Sequence, residues 1–135
     1  RVEIIDLLKV QDPDAHILLL GVQIEDSRNK EIQAKSGADY LGYFSLNAFI
    51  NLVNHCHLVI TQVTMGMHIT LALGKRIVLM NNIFNPYEFD LFGKGEIVGP
   101  DKACKCFYRG SCLDGTSCME QLPAEKIASA VGRVI

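Results

Sequence analysis

The amino-acid sequence predicts an α/β domain built on a doubly wound, mainly parallel sheet. Short apolar runs bounded by turn residues alternate with segments whose apolar residues recur every three or four positions, the pattern of buried strands that alternate with helices. The clearest example lies between His57 and Met80, where two apolar runs flank a short helix that begins at a tight turn. This order of strand, turn, helix and strand is one βαβ step of a parallel sheet.

Length and composition indicate a single domain over residues 1–135 and narrow the classes of partner. The chain has 135 residues, of which 49% are hydrophobic, enough for one core. Its 13 basic and 15 acidic residues are interspersed and leave a net charge of −2, which argues against nucleic acid as a partner. We expect a cytoplasmic protein without a transmembrane segment, because no apolar run approaches ~20 residues and no signal-peptide pattern is present. The chain opens on Arg1 within an apolar-periodic segment, so we expect a piece of a longer protein.

The first part of the chain is predicted to hold two helices and two strands. A helix over Val2–Val10 precedes the apolar run His16–Leu20, which is typical of a strand buried on both faces. Asp26 or Ser27 can cap a polar helix that ends near Lys35. A short strand is expected at Ala38–Leu41.

The second part begins with a helix for which Ser45 is the expected N-cap and whose apolar positions follow helical spacing. The remaining predicted elements, in order, are the strand His57–Thr61, the helix Met65–Leu73 with Gly74 as its C-cap, the strand Arg76–Met80, an edge strand Glu96–Val98 and a closing helix opened by Pro123.

The turn between the strand His57–Thr61 and the next helix is the strongest candidate for binding chemistry. It places a hydroxyl, a glycine and an imidazole at the start of a helix, where free backbone N–H groups favour anions such as pyrophosphate. The candidate contacts are Thr64, Met65, Gly66, Met67 and His68. The alternatives are that Thr64 is only an N-cap and that His68 is a half-buried core residue.

Three further candidates follow other predicted strands. Glu25 comes after Gly21, at a position where an acid can bind a ribose diol, although a solvated residue near a helix start is the alternative. Ser45, which follows Gly42, is a weaker ligand candidate because capping and turn formation explain it. The Asn85-Pro86 segment lies beyond another strand and is equally well explained as a turn.

A cysteine-rich loop over residues 101–120 contains four of the five cysteines. Four thiolates can hold a structural zinc ion, but the usual two-residue spacing is missing, so zinc, reduced thiols and disulfides all remain open. In each case we expect a structural staple and not a reaction centre. The candidate ligands are Cys104, Cys106, Cys112 and Cys118. The fifth cysteine, Cys56, is expected to be a small buried hydrophobe.

The order of these motifs resembles the C-terminal half of glycosyltransferase family 9, the ADP-heptose:lipopolysaccharide heptosyltransferases and their relatives. The resemblance runs from about residue 2 to 135. It rests on Leu20-Gly21 before Glu25, Leu41-x-x-x-Ser45-Leu46, Thr64-x-Gly66-Met67-His68-Ile69 with Ala72-Leu73-Gly74, the strand Ile77–Met80 with its Asn/Pro loop, Cys118-Met119 and the final helix.

This resemblance implies a bacterial enzyme of two Rossmann-like halves, the GT-B architecture, in lipopolysaccharide or surface-glycan synthesis. The chain would be most of the half that binds the nucleotide-sugar donor, an ADP-sugar by resemblance, and its partner would be the N-terminal, acceptor-binding half. The family's catalytic base lies in that other half, so no catalytic residue is assigned here and the fragment alone is expected to be inactive. Donor binding is expected to need no cofactor. The family also allows peripheral association of the parent protein with the inner membrane.

The candidate turn departs from the family pattern Asp-Thr/Ser-Gly-x-x-His at two positions. Val63 stands where the family has the acid and Met65 where it has the glycine, while Gly66 comes one place later. A valine cannot accept a hydrogen bond from a sugar hydroxyl. Either the donor differs from ADP-heptose or the chain is a non-catalytic Rossmann-like scaffold or binding module with a zinc or cysteine loop.

Overall fold

The computed structural model describes residues 2–101, 108 and 118–135. The chain divides into two compact units, Arg1–Leu52 and Val53–Ile135. Among the described residues, no helix combines the length and the apolar character that crossing a membrane requires.

The first unit is mainly helical. Helix α1 spans Val2–Gln11, helix α2 spans Asp26–Ser36, and a 3-10 turn at Gln23–Glu25 leads into α2. Its core brings one residue of α1 against α2 and the segment after it, and partly buried residues surround that contact. The buried members are Ile5, Ile32 and Ala38, and the surrounding ones are Val2, Ile17 and Leu19.

The two strands expected in this unit are reduced to a single parallel bridge between Leu18 and Asp39. The N–H of Leu19 donates to the Asp39 carbonyl and the N–H of Asp39 donates to the Ile17 carbonyl, both at 2.8 Å. Residues 17–20 are only half-buried, so the expectation of a strand buried on both faces is wrong. An apolar run extends as a strand only where a neighbour pairs along its length, and here the pairing ends after one bridge.

A polar network joins α2 to the residues after it. The buried Tyr40 donates its hydroxyl to Asp26 Oδ1 at 2.8 Å, and Lys30 pairs with the other oxygen of Asp26 at 2.8 Å. Gly37 ends the helix with a φ of 69°, in the left-handed region that glycine adopts without strain. The network therefore ties the start of α2 to the segment beyond its end.

The second unit contains a three-stranded parallel sheet. Helix α3 spans Leu46–His55, beginning in the first unit and ending in the second. The elements that follow are strand β1 at Leu58–Gln62, helix α4 at Met65–Ala72, strand β2 at Arg76–Met80, strand β3 at Gly95–Val98 and helix α5 at Ala124–Val134. The strand order is β1-β2-β3, with Val59 opposite Ile77 and Val78 opposite Glu96. The predicted βαβ step is thus confirmed.

Helices cover the central strand of this sheet. Met67 of α4 packs with Ile77 and Leu79 of β2 in one buried cluster. Val78, between them, is fully buried and points to the opposite face. Helix α5 contacts β2 and β3, and its buried residues are not part of the α4 cluster. The sheet and its helices therefore form a small α/β core, and the β1–α4 turn lies at the carboxyl ends of the strands.

Candidate functional site

The β1–α4 turn begins with Thr64, whose backbone is extended while that of the next residue is helical. The Thr64 hydroxyl accepts a hydrogen bond from the Gly66 N–H at 3.2 Å, and its carbonyl accepts one from the Met67 N–H at 3.1 Å. Thr64 is therefore the N-cap of α4, as its position in the sequence predicts. Two of the first three helical N–H groups are already satisfied by this residue.

The remaining N–H group at this helix start belongs to Met65. As the first residue of α4 it has no partner within the helix, and it makes no bond to the rest of the described chain. Met65 as a whole residue is 54% exposed. The positive end of the helix dipole adds to the attraction of an anion here.

The hydroxyl groups beside this N–H are weakly held. Thr61 Oγ1 lies 3.3 Å from Thr64 Oγ1, and Thr64 Oγ1 lies 3.5 Å from the carbonyl oxygen of Gln62. Both separations are long for a hydrogen bond between oxygens. The Thr64 hydroxyl could therefore donate a hydrogen bond to a ligand that offers a better acceptor, without losing a strong hydrogen bond.

The side chain of His68 is exposed in the first turn of α4. The buried positions of this helix are instead Met67 and Thr70, and the Thr70 hydroxyl donates to the Gly66 carbonyl at 2.6 Å. The alternative of a half-buried core histidine is therefore wrong. It assigned the wrong side of the helix to the sheet, because apolar residues occur on both sides of this short helix.

Val63 is half-buried and packs against the cluster formed by Met67, Ile77 and Leu79. The resemblance matches this position to an acid that contacts the donor sugar. In this chain the side chain contributes to the core instead. A sugar bound at this turn would therefore have to be recognised by other groups.

The loop after β2 is organised by Asn81, a residue that was not singled out from the sequence. Its side chain is 7% exposed, its Oδ1 accepts the Phe84 N–H at 3.2 Å, and its Nδ2 donates to the Phe84 carbonyl at 2.8 Å. Asn85 caps the following 3-10 turn through Oδ1 and the Tyr87 N–H at 3.1 Å, which supports the turn interpretation of Asn85-Pro86. The available signal for Asn81 was an amide directly after a buried strand.

Tyr108 contacts this same loop. Its N–H donates to the Ile83 carbonyl at 3.0 Å, its hydroxyl donates to Glu88, and its ring meets Phe84 edge to face at 5.4 Å. The hydrogen bond to Glu88, together with desolvation, raises the pKa of the Tyr108 phenol. The chain thus returns to the carboxyl side of β2 at Tyr108.

Glu25, in the first unit, is held by two donors. Its Oε2 accepts the Val22 N–H at 3.0 Å and its Oε1 accepts from Arg28 Nη2 at 2.9 Å. A Cβ atom on Gly21 would lie 2.5 Å from Glu25 Oε2, so the glycine allows this close approach. Each carboxylate oxygen retains one further lone pair for a ligand. The observed contacts also explain Glu25 as a residue that closes the turn before α2.

Ser45 caps α3 weakly. Its Oγ accepts the Ala48 N–H at 3.4 Å, and its carbonyl accepts the Phe49 N–H at 3.0 Å. The preceding Gly42 has a φ of 100°, a conformation that L side chains rarely adopt. The capping and turn interpretation of these two residues is thus supported, and Ser45 remains an exposed hydroxyl.

The predicted metal ligands lie largely outside the described residues. This applies to Cys104, Cys106 and Cys112, and to the side chain of Cys118, whose backbone begins a 3-10 turn at Cys118–Gln121. Within the described ranges, no group of three or more His, Cys, Asp or Glu side chains could hold a metal ion. Cys56 is half-buried, less than was expected for a core residue, and desolvation raises the pKa of its thiol.

Comparison with known proteins identifies no relative. No family model matches the chain, and no curated protein and no solved structure matches it significantly.

Proposed function

We propose that this chain is the donor-binding part of a glycosyltransferase and that it holds the diphosphate of a nucleotide sugar at the start of α4. The observation that carries the proposal is the Met65 N–H, which has no hydrogen-bond partner within the described chain, beside the weakly held hydroxyl of Thr64 at the carboxyl ends of parallel strands. These strand ends are where ligands bind in open α/β sheets. The resemblance of the motif order to that of glycosyltransferase family 9 supplies the nucleotide-sugar class.

In the proposed reaction, an acceptor hydroxyl attacks the anomeric carbon and a nucleoside diphosphate leaves. The chain would stabilise the negative charge that develops on the leaving group, because backbone dipoles at a helix start are already oriented toward it. In the proposal, His68, which is exposed in the first turn of α4, donates a further hydrogen bond to a phosphate oxygen. The acceptor site and the catalytic base are assigned to the other half of the enzyme. The family's lipopolysaccharide or surface-glycan pathway is part of the same proposal.

A second candidate function is a non-catalytic binding module of the same fold. The packing of Val63 into the core favours it, because the acid that contacts the donor sugar in the family is replaced by a side chain that cannot bind a hydroxyl. In this case the turn would be a capped helix start without a ligand.

The test is an amide-NMR titration with ADP, UDP, GDP and CDP in turn. The proposal expects saturable shifts of the Met65, Gly66 and His68 amides with one of the four nucleotides. Shifts with none of them, in a protein that includes the acceptor half, would contradict the proposal and leave the binding module.

A proline variant makes this test specific to the proposed N–H group. Met65→Pro removes that donor at the first helical position, which proline favours, and the preceding Thr64 already has the extended backbone that proline requires. Met65→Ala is the matched control, because it removes the same side chain and keeps the N–H. We expect nucleotide affinity to fall about tenfold in Met65→Pro, equivalent to ~1.4 kcal/mol, and to change little in Met65→Ala. Equal affinities in the two variants would show that the Met65 N–H does not bind the diphosphate.

A further inference from the structure

The loop after β2, residues 81–94, leaves the sheet beside the β1–α4 turn. Gln62 and Met80, the last residues of β1 and β2, are paired in the strand register. Neighbouring strands lie about 4.8 Å apart, so the chain enters the turn at Val63 and the loop at Asn81 from adjacent points. A ligand held at the turn therefore has this loop as a neighbour.

Apolar packing ties the same loop to the α4 side of the sheet. Phe89 of the loop is half-buried and packs against the buried cluster that contains Met67 of α4. Val63 of the turn packs against that cluster as well. Glu88 directly precedes Phe89, so its backbone lies at the margin of the cluster that the turn and the loop share.

The carboxylate of Glu88 is oriented but only partly used. Glu88 is exposed, and its Oε1 accepts a hydrogen bond from the Tyr108 hydroxyl. Tyr108 is itself fixed, because its N–H donates to the Ile83 carbonyl at 3.0 Å and its ring meets Phe84 edge to face at 5.4 Å. Within the ranges that the structure describes, Glu88 Oε2 forms no hydrogen bond and no ion pair. A carboxylate oxygen offers two lone pairs, so Glu88 can accept hydrogen bonds from a ligand.

The other acid of the loop serves the fold instead. Asp90 Oδ1 accepts the Phe92 N–H at 2.7 Å and closes a turn in which Phe92 has a φ of 52°. The 3-10 turn that contains Glu88 is capped by Asn85 and not by Glu88. Of the two carboxylates, that of Asp90 therefore has a structural role, whereas that of Glu88 has an oxygen left over for a ligand.

We propose that Glu88 binds a hydroxyl group of the donor sugar and that Tyr108 is its positioning residue. The inference rests on the proposed function, in which the diphosphate lies at the start of α4 and the sugar is attached to it. Val63 cannot accept a hydrogen bond from a sugar hydroxyl, whereas the carboxylate on the neighbouring loop can. Because a carboxylate repels a negatively charged ligand, the sugar that it selects is neutral and not a uronic acid.

The test compares two probes on the full-length protein, a nucleoside diphosphate and the nucleoside diphosphate glucose of the same base, for adenine, uracil, guanine and cytosine in turn. Calorimetric titration gives the two Kd values, and their ratio reports the contribution of the sugar. If no nucleoside diphosphate binds, the proposed function fails and the role of Glu88 fails with it. If one binds and the ratio is the same in the native protein and in Glu88→Gln, the role of Glu88 alone is overturned.

Two variants of matched charge make this comparison specific. Glu88→Gln should lower the affinity for the glucose derivative about tenfold relative to the affinity for the nucleotide, because a hydrogen bond to a charged acceptor is about twice as strong as one to a neutral acceptor. Asp90→Asn is the control, because it makes the same charge change on the same loop and keeps Oδ1. It should leave the ratio in place. Equal losses in the two variants would show that charge and not a hydrogen bond decides, which would contradict the proposal.

Tyr108→Phe tests the positioning role. It removes the hydroxyl that holds Glu88 and keeps the ring that meets Phe84. We expect the relative affinity for the glucose derivative to fall about threefold, with the affinity for the nucleotide unchanged. The carboxyl-carbon NMR signal of Glu88 should shift with the glucose derivative in the native protein, shift less in Tyr108→Phe, and stay in place with the nucleotide alone. A lower Tm with an unchanged affinity ratio would show that Tyr108 is only structural and would overturn its role.

Discussion

The Thr64 hydroxyl accepts a hydrogen bond from the Gly66 N–H at 3.2 Å, at the position where an anion would bind to the start of α4. The capping hydroxyl and the proposed ligand would therefore use the same N–H group. A bound phosphate would share or replace this hydrogen bond, and the Met65 N–H would be the first donor it meets.

The first prediction concerns the cap itself. Thr64→Ala removes the acceptor of the Gly66 N–H and should lower the free energy of unfolding by about 1 kcal/mol. Thr64→Ser keeps an acceptor at the same place and should cost only a few tenths of a kcal/mol. Urea unfolding of the two variants measures the difference, and equal stabilities would show that the hydroxyl does not cap the helix.

The second prediction concerns the close approach of β3 to β2. A Cβ atom on Gly95 would lie 1.9 Å from the Ile77 carbonyl oxygen, far inside contact distance. Because the obstacle is backbone, Gly95→Ala should force the strands apart and cost at least about 4 kcal/mol. Gly93→Ala is the control. A Cβ atom added at Gly93 has no neighbour within 4 Å, so the substitution should cost only the strain of an L side chain at a φ of 71°, about 1–2 kcal/mol. In denaturant unfolding, the Gly93→Ala variant should therefore have a clearly higher free energy of unfolding than the Gly95→Ala variant.

The third prediction tests Asn81 as the organiser of the loop after β2. Asn81→Ala leaves the N–H and the carbonyl of Phe84 without their partner and should destabilise the protein by about 2 kcal/mol. Asn85→Ala removes one cap from a partly exposed turn and should cost less than ~1 kcal/mol. Amide hydrogen exchange at Phe84 gives a local readout. Protection that survives in Asn81→Ala would contradict the assignment.

The fourth prediction follows from the pair of Arg133 on α5 and Glu96 on β3. Hydrogen bonding from Arg133, aided by its charge and opposed by desolvation, lowers the pKa of Glu96. A carboxyl with a lowered pKa in the folded state stabilises the protein above its ordinary pKa of about 4.3, and that contribution is lost as pH falls through the lowered value. Arg133→Gln should therefore raise the pKa of Glu96 and weaken the acid dependence of stability below pH ~4.3.

A carboxyl-carbon NMR titration of Glu96, together with thermal unfolding at neutral and acidic pH, measures this effect. Lys35→Gln is the control, because Lys35 lowers the pKa of Glu31 in the other unit. It should move the titration of Glu31 and leave that of Glu96 in place. An unchanged Glu96 titration in Arg133→Gln would mean that the pair does not persist in solution.

Much of the fold follows from local pattern. The bounds of β2 match the predicted strand Arg76–Met80, and the helix after the candidate turn begins at Met65 as predicted. These two predictions are confirmed because each depends on only a few neighbouring residues. One is an apolar run between turn residues, and the other is a hydroxyl directly before a helix. The run His16–Leu20 shows the limit. It is as apolar as a buried strand, yet it pairs through one bridge because pairing depends on a neighbour distant in sequence.

The candidate site shows the same division. The sequence by itself determined the βαβ step, the Thr64 cap and the helix start where a phosphate is proposed to bind. Only the tertiary structure decided that His68 is exposed, that Val63 belongs to the core and that Asn81 is buried. It alone also placed Phe89 in the same cluster as Val63. Local spacing specifies which backbone conformation a segment adopts, whereas burial and neighbourhood depend on which distant segments pack over it.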